Sequence, residues 1–247
     1  MKNNVLIFAS KPGDAEIAMG GTIAKLLSVN NCALTIIDLT DGGLNSKKTV
    51  EEKQFEISEA NKILGIKNRE NVGLREREIN QGRELTKLLV SKIRENQPEI
   101  VFAPFAGEID IDSAELGRAV ATAVRLAAED EFTTFVDDNL QDAHLVQKLF
   151  YFFVESNGEP SFIIDVSESF DLKMDAVKAY ISKFTKIDKP EARKENSAKN
   201  FFEYLESKGK VFGYGINKNF GEPFYATEKL EFDIVGYLQS NEGIGWK

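Results

Sequence analysis

The chain has 247 residues, of which 31 are Lys or Arg and 40 are Asp or Glu, so its formal net charge at pH 7 is −9. Because it has only one His and one Cys, a single chain cannot assemble a Cys₄, Cys₂His₂ or His₃ zinc site or an intrachain disulfide. The acidic balance argues against a nucleic-acid groove and against binding to an anionic membrane. No apolar run approaches the roughly 20 residues of a membrane-spanning helix, and the first run is too short for a signal peptide. We therefore expect a cytoplasmic globular protein with a sizeable core.

The first half of the chain alternates short apolar runs with segments of helical periodicity. Val5–Ala9, Ala33–Leu39 and Ile100–Ala103 have no polar alternation, which is typical of strands buried on both faces. Helices are predicted over Ala15–Val29, Thr49–Leu64 (with a Thr49/Glu52 capping box and Gly65 at its end), Glu78–Asn96 and Ser113–Ala128. This order predicts a Rossmann-like α/β fold, in which helices flank a mostly parallel sheet with right-handed crossovers.

The last third of the sequence is less regular. It predicts strands at Leu149–Val154 and Phe162–Val166, helices at Ser167–Phe184 and Ala192–Lys208, and short extended pieces at Phe224–Tyr225 and Leu230–Phe232. Asp188-Lys189-Pro190 is the best internal break, but it is too slight for a domain linker. We therefore predict one domain over residues 1–247, with a regular part at 1–130 and a less regular part at 145–247.

Three turns follow the predicted parallel strands. They are Ser10–Glu16, Thr40–Ser46 and Pro104–Ser113. Since ligands of parallel α/β sheets bind at the carboxyl ends of strands, we expect these turns to surround one crevice.

The first of these turns lies in a segment, Val5–Thr22, that reads VLIFASKPGDAEIAMGGT. It resembles the opening block of the PIG-L/LmbE family of zinc-dependent N-acetylglucosamine deacetylases, which usually has His-Pro-Asp-Asp-Ala-Glu in the turn. Further blocks of the same resemblance lie at residues 38–43, 49–53, 60–65, 70–74, 98–105, 149–153, 161–170 and 221–224, so it covers nearly the whole chain. The resemblance implies the LmbE-like deacetylase fold and, if the chain is active, an amide hydrolase that acts on N-acylated amino sugars.

The departures from the family pattern concern its active site. By resemblance, the first zinc-binding His is replaced by Lys11, the general base by Gly13, and the third zinc ligand by Ser113, whereas the second ligand is kept as Asp14. The family's second signature, His-Pro-Asp-His, begins here at Asp110, where the family has a transition-state-stabilising His. Catalytic zinc needs three protein ligands, and glycine cannot accept a proton. We therefore expect no intact catalytic site, no bound metal and no cofactor.

Two interpretations of the remaining charges stay open. In the first, the Lys11 ammonium takes the place of the metal and pairs with Asp14, with Asp110 or Asp112 as a further partner. The alternative is that Lys11 faces solvent while Asp14 caps the helix.

In the second interpretation, Asp14, Asp110 and Asp112 hold a hard divalent cation such as Mg²⁺, Mn²⁺ or Ca²⁺. Its alternative, which the nearby Lys11 charge favours, is a solvated loop whose Asp112 or Ser113 caps the next helix.

The candidate ligand-binding residues share a place near the predicted crevice. They are Lys11, Asp14, Glu16, Asp41, Lys53, Asp110, Asp112 and Ser113. By resemblance, Lys53 stands where the family often has an Arg that faces the substrate. Arg75 and Arg77 either recognise an anionic sugar or pair with neighbouring Glu residues. Outside this set, we expect Gly20-Gly21 to allow close packing, His144 to have a surface or packing role, and Cys32 to act as a small hydrophobe.

Two functions therefore remain. The first is a PIG-L/LmbE-like pseudoenzyme, a non-catalytic subunit that binds an amino sugar, regulates or assists assembly, either as a homo-oligomer or beside an active relative. The second is an N-acyl sugar deacetylase whose site uses no metal or a hard cation. The fold alone cannot separate them, because function belongs to the site.

Overall fold

The computed structural model describes residues 3–42, 49–80, 82–180 and 191–231, and only the backbone of residue 3 and residues 191–197. The strands are β1 (Asn3–Ala9), β2 (Cys32–Thr40), β3 (Asn68–Leu74), β4 (Ile100–Pro104), β5 (Phe135–Val136), β6 (Asn139–Leu140), β7 (Lys148–Phe152), β8 (Phe162–Asp165) and β9 (Gly221–Tyr225). The helices are α1 (Asp14–Ser28), α2 (Val50–Leu64), α3 (Arg83–Asn96), α4 (Ile111–Ala127), α5 (Phe170–Ala179) and α6 (Glu191–Gly215).

A seven-stranded sheet has β1 near its centre. Strands β3, β2, β1, β4 and β7 are neighbours in that order and run parallel, and β9 and β8 extend the sheet with antiparallel pairs. Val5 of β1 lies opposite Leu34 of β2 and Ile100 of β4. From β1 the chain winds outward to β2 and β3, and it then returns to β4 on the other side of β1. The winding direction therefore reverses between β1 and β4, which is where sheets of this kind bind ligands.

Both faces of the central strand are buried, as its unbroken apolar run predicts. Val5, Ile7 and Ala9 belong to a core shared with α1, α2 and α5. Leu6 and Phe8 belong to a second core, on the opposite face, shared with α3 and α4. Each fully buried aliphatic or aromatic side chain of this kind stabilises the fold by about 1.5–3 kcal/mol. The predicted α/β architecture, a mostly parallel sheet flanked by helices, is confirmed.

The middle of α1 is held by a residue from the far end of the described chain. The helix is kinked at Met19, whose φ and ψ are −140° and 26°. Beyond the kink, the amides of Gly21 and Thr22 donate to the two carboxylate oxygens of Glu222 in β9 at 3.0 and 2.7 Å, and the Thr22 hydroxyl donates at 2.6 Å. The Lys173 ammonium of α5 donates to the same carboxylate at 2.7 Å. All four contacts are buried, so Glu222 joins β9, α1 and α5.

The two glycines of α1 allow this close approach. A Cβ atom at Gly21 would lie 2.8 Å from the Val166 Cβ, and one at Gly20 would lie 3.0 Å from the Lys173 Cγ. The close packing expected for this pair is confirmed, and its partners are α5 and the residue that follows β8.

Most predicted elements of the first 130 residues are present, and two differences stand out. The helix predicted from Glu78 begins instead at Arg83, since Arg77 has a φ of 66° and Gly82 is the N-cap. Strand β3 was not predicted, because its sequence, NRENVGL, is polar and half exposed. The capping box at Thr49 and the left-handed Gly65 at the end of α2 are confirmed.

In the last third, α6 extends seven residues past the predicted end at Lys208, to Gly215, and the β5–β6 hairpin was not predicted. The hairpin turns through Asp137 and Asp138, whose φ values are 48° and 62°. Leu230 is not in a strand. Residues 43–46, 181–184, 188–190 and 232, which carried parts of other predictions, lie outside the described residues. Within the described ranges, no helix combines the length and apolarity needed to cross a membrane.

Candidate functional site

The turn from β1 to α1 lies at the point where the winding reverses. Its Ser10 hydroxyl donates to Asp14 at 2.6 Å and lies 2.8 Å from the hydroxyl of Ser113 at the start of α4. The Ser10 carbonyl accepts from the amide and hydroxyl of Thr40, at 3.0 and 2.9 Å, and this ties the turn to the end of β2. Gly13, in the turn between β1 and α1, has a φ of 92° and is the N-cap residue of α1, without a side-chain hydrogen bond to the helix. For the described residues, these contacts bring the three turns together at the carboxyl edge of the sheet, as predicted.

Lys11 forms the ion pair that crosses this crevice. Its ammonium lies 3.1 Å from a carboxylate oxygen of Asp110, and the two side chains are 26% and 30% exposed. Burial opposes the charge of Lys11, but Asp14 and Asp110 outweigh it and hold the pKa of the ammonium well above its usual value. We refer to Ser10, Lys11, Asp14, Asp110 and Ser113 as the Lys11 cluster. The predicted ammonium–carboxylate pairing is present, with Asp110 rather than Asp14 as the direct contact.

Asp110 also begins α4. Its other carboxylate oxygen accepts from the Ser113 amide at 3.0 Å, so the helix cap is Asp110 and not Asp112 or Ser113 as the loop interpretation held. Burial opposes ionisation, but the Lys11 charge and the Ser113 amide outweigh it and lower the pKa of Asp110 below its usual value. Asp110 is therefore a carboxylate at neutral pH, with one oxygen committed to the helix and one to Lys11.

The neighbouring acidic side chains turn toward separate partners. Asp112 is buried, and one of its oxygens accepts from the Arg77 amide at 2.6 Å, whereas the other has no hydrogen-bond partner among the described residues. Glu108 accepts four hydrogen bonds, from the amides of residues 154–156 and the Ser156 hydroxyl, at 2.8 to 3.0 Å. Within the described residues, no three His, Cys, Asp or Glu side chains converge as metal ligands.

The zinc ion implied by the family resemblance does not fit this donor set. A charged Lys has three donor hydrogens and no lone pair for a metal, and the pairing with Asp110 keeps Lys11 charged. The Ser113 hydroxyl is shared with Ser10. Of the three ligand positions implied by the resemblance, only Asp14 has a side chain that can ligate zinc, and its oxygen Oδ2 already accepts from Ser10.

Glu16, although predicted as a ligand-binding candidate, is fully buried in a second charged group. The Arg69 guanidinium of β3 binds Asp38 through two hydrogen bonds, at 2.7 and 3.1 Å, and Glu16 through a third at 2.5 Å. The Tyr180 hydroxyl also donates to Glu16, at 2.9 Å, and Arg69 donates to Asn61 at 3.0 Å. We call these five residues the Arg69 network.

Burial and charge compete in the Arg69 network. Burial raises the pKa of Asp38 to about 6, although Arg69 acts against it. For Glu16, burial is outweighed by the Arg69 charge and hydrogen bond, and the pKa lies below its usual value. Burial and the Glu16 charge raise the pKa of Tyr180 far above that of free tyrosine. Two carboxyl groups thus share one guanidinium. The sequence signal for this network was a charged residue, Asp38, at the end of the apolar run of β2.

Glu155 is a further site residue that the sequence did not single out. It follows β7, at the carboxyl edge of the sheet, and its surroundings include Lys11, Asp110, Asp14 and Glu108. Burial raises its pKa, the three acidic groups add to this effect, and Lys11 opposes it. Glu155 therefore adds a titratable carboxyl group to the crevice.

The remaining candidates are not members of the Lys11 cluster. Asp41 is exposed after β2, and Lys53 is half-buried on α2. Arg75 pairs with Glu78 at 3.8 Å on an exposed surface, as one of the sequence alternatives predicted. His144 has its Nε2 2.8 Å from the Pro98 carbonyl, in agreement with a packing role. Burial raises the pKa of the Cys32 thiol, so this side chain is not activated.

Comparison with known proteins gives consistent matches. Residues 6–148 match the family model described as PIG-L, GlcNAc-PI de-N-acetylase. The diacetylchitobiose deacetylase of Thermococcus kodakarensis is 26% identical over 189 residues, which cover 73% of this chain and 70% of the relative.

Two solved structures extend the likeness to almost the whole chain. A conserved protein of Thermus thermophilus has a TM-score of 0.81 at 27% identity, with 95% of this chain and 98% of that protein covered. The N,N'-diacetylchitobiose deacetylase of Pyrococcus horikoshii, solved with an inhibitor, has a TM-score of 0.76 at 22% identity, with coverage of 90% and 82%. The second likeness shows a shared fold.

Proposed function

The chain belongs to the PIG-L family, and from this premise we propose that it is a deacetylase-like protein that binds an amino sugar without hydrolysing it. Two of the relatives are diacetylchitobiose deacetylases, which supports an N-acetylated amino sugar as the ligand class. The proposed binding site is the Lys11 cluster, with Asp41, Lys53, Asp112 and Glu155 as further candidates around it.

The observation that carries the proposal is the Lys11–Asp110 ion pair. Hydrolysis of an amide needs a base for the attacking water and a positive group or donor for the oxyanion. Gly13 supplies no base, and the Lys11 charge is already opposed by the carboxylate 3.1 Å away. By resemblance, Asp110 takes the position of the family's transition-state-stabilising His, and a negative charge there would disfavour an oxyanion.

The same groups suit non-covalent binding of a sugar. Lys11 donates hydrogen bonds, the carboxylates of Asp14 and Asp110 accept them, and the Ser10 and Ser113 hydroxyls can do both. Sugar hydroxyl and amide groups need both kinds of partner. A ligand bound here would link the ends of β1 and β4, and a regulatory or assembly role, in a homo-oligomer or beside an active relative, would follow from that binding.

Metal content and activity test the absence of catalysis. Protein purified without chelator is expected to contain no stoichiometric zinc and to release no acetate from N,N'-diacetylchitobiose, with or without added Zn²⁺. The triple variant Lys11→His, Gly13→Asp, Ser113→His restores the implied ligands and base, and it is expected to bind one zinc ion per chain. The double variant that keeps Gly13 is the matched control, since it should bind zinc without gaining turnover. Stoichiometric zinc in the unmodified protein would overturn the proposal.

Binding is tested separately with the same disaccharide, by calorimetry and by NMR titration. The expected result is saturable binding that Lys11→Met weakens at least tenfold, whereas Lys178→Met, which removes an exposed ion pair with Asp175, leaves it unchanged. Absence of saturation at millimolar disaccharide, or equal affinity for the two variants, would refute an amino-sugar site in the Lys11 cluster.

One observation favours the alternative of a hard-cation hydrolase. Asp112 has a buried oxygen with no hydrogen-bond partner in the part of the chain that the structure describes, and such an oxygen is a suitable ligand for Mg²⁺, Mn²⁺ or Ca²⁺. The acetate-release assay is therefore repeated with each ion. Turnover that depends on one of these ions and is lost in Asp14→Asn would establish this alternative in place of the binding function.

A further inference from the structure

A second lysine site lies away from the Lys11 cluster. Lys208, on α6, is half-buried, and its amine lies 3.5 Å from the backbone carbonyl of Phe153. Within the described ranges, no carboxylate lies at ion-pair distance from this amine, whereas the next lysine of the helix, Lys210, pairs with Glu206 at 2.6 Å. The Lys208 amine is thus held by one long contact to a neutral group.

The amine borders a small cavity between α1, α6 and β9. The cavity encloses about 250 Å³ of empty space including its open mouth, and its interior has room for about one water-sized molecule. Its lining includes apolar residues, Ile17, Ala18, Phe153 and Leu205, and two lysines, Lys173 and Lys208. A molecule that reacts here with Lys208 must therefore be very small, and need not be charged.

The charges around the cavity favour the neutral amine. Burial lowers the pKa of Lys208 to about 8, the positive charge of Lys173 adds to this effect, and Glu108 opposes it weakly. Glu222 also faces the cavity, but its carboxylate is saturated by Lys173 and by the amides of α1. At pH 8 about half of Lys208 is the free amine, against less than about 1% of an ordinary lysine.

We propose that Lys208 is a carbamylation site that reacts reversibly with carbon dioxide. The lone pair of the neutral amine forms a bond to the carbon of CO₂, one C=O π bond opens to give a carboxylate, and the nitrogen releases one proton to solvent. The product is a carbamate, and the charge of the side chain changes from positive or neutral to negative. No oxidant, reductant or other reactant is needed.

The surroundings suit the product as well as the reactant. CO₂ is uncharged and little larger than water, so it can enter a narrow apolar cavity that excludes acyl phosphates. The carbamate N–H keeps its donor for the Phe153 carbonyl, and the positive charge of Lys173, which also lines the cavity and acts on Lys208, would stabilise the new carboxylate.

The test is carbon-13 NMR of the full-length protein in bicarbonate buffer enriched in ¹³C, followed by chemical trapping and peptide mass spectrometry. We expect one protein carbamate signal that grows as the pH rises from 7 to 8.5, and trapped label on the Lys208 peptide about 100-fold above that on Lys210. The signal is expected to be absent in Lys208→Arg and Lys208→Gln and unchanged in Lys210→Arg.

Peptide localisation is essential because an α-amino group has a similar pKa and also forms carbamates. Label confined to the α-amino group, equal label on Lys208 and Lys210, or a signal that survives in a folded Lys208→Arg variant would each overturn the proposal. Circular dichroism of both Lys208 variants establishes that loss of the signal is not loss of the fold.

Discussion

The Glu222–Lys173 pair makes a sharp prediction, because its two partners are supported unequally. Without Lys173, the Glu222 carboxylate still accepts from two amides and a hydroxyl of Gly21 and Thr22. Without the charge of Glu222, the Lys173 ammonium keeps one weak contact, 3.5 Å from the Ala18 carbonyl. Both side chains are almost completely buried, since that of Lys173 is 7% exposed and that of Glu222 is 1% exposed. Removal of the acid should therefore cost more than removal of the base.

The magnitudes follow from the hydrogen bonds. Glu222→Gln keeps one acceptor oxygen but replaces the other with an amide NH₂, which cannot accept hydrogen bonds from the donors that face it. Two of the four hydrogen bonds to the charged carboxylate are therefore lost, at about 1.5–3 kcal/mol each. With Lys173 left buried and unpaired, we expect a loss of about 3–5 kcal/mol in the free energy of unfolding. Lys173→Met loses one such bond and no longer desolvates an ammonium, so we expect about 1–2 kcal/mol.

Urea unfolding of both variants and of the double variant measures these quantities at constant m-value. The double variant should cost less than the sum of the single ones by about 1–3 kcal/mol. Asp175→Asn, which breaks an exposed pair with Lys178, is the control and should change stability by less than about 1 kcal/mol. An equal loss of stability in Lys173→Met and Glu222→Gln, or additive losses in the double variant, would contradict unequal support of the two partners.

Three further predictions concern packing, pH and helix termination. Gly21→Ala places a Cβ 2.8 Å from that of Val166 and should lower the free energy of unfolding by about 1–3 kcal/mol in urea titrations; an unchanged midpoint would show that α1 shifts freely. Asp38 has a raised pKa of about 6 in the folded protein, so the folded protein binds this proton more tightly than the unfolded chain does. The stability that protonation of Asp38 contributes is therefore lost as the pH rises through 6. The unfolding free energy of the wild type, relative to Asp38→Asn, should thus increase by about 1 kcal/mol between pH 7.5 and pH 5, and a pH-independent difference would contradict this. Arg94 is buried, and its guanidinium donates to three backbone carbonyls at the end of α4. Arg94→Lys should therefore lower the free energy of unfolding by about 2 kcal/mol, measured by thermal unfolding. An unchanged stability would mean that water replaces the hydrogen bonds of the guanidinium.

The sequence predicted the elements whose signals are local. The apolar runs of β1, β2 and β4 and the capping box at Thr49 depend on neighbouring residues, and all are present. Strand β3 is polar, and its pairing with β2 depends on Arg69 finding Asp38 and Glu16 inside the fold. No local pattern in NRENVGL contains that information, since the energy of the strand comes from residues more than 30 positions away.

The candidate site was predicted in part for the same reason. The rule that strand ends meet at one edge brought Lys11 and Asp110 together across 99 positions of sequence. The direction of each side chain was beyond that rule. Asp112, two residues from Asp110, turns to the Arg77 amide, and Glu16, two residues from Asp14, turns to Arg69. These directions are set by how α1 and α4 are rotated against the sheet, which depends on tertiary packing.

The position of Glu222 in the chain has a consequence for folding during synthesis. The acceptor for the amides of α1 is made 200 residues after Thr22, which at about 5–20 residues per second is a delay of about 10–40 s. Throughout that time the amides of Gly21 and Thr22 lack the buried carboxylate that accepts from them in the folded protein, so this part of α1 cannot reach its native surroundings. A chain stopped before residue 222 would contain the whole segment that matches the family model, residues 6–148, and would still lack the group that completes its first helix.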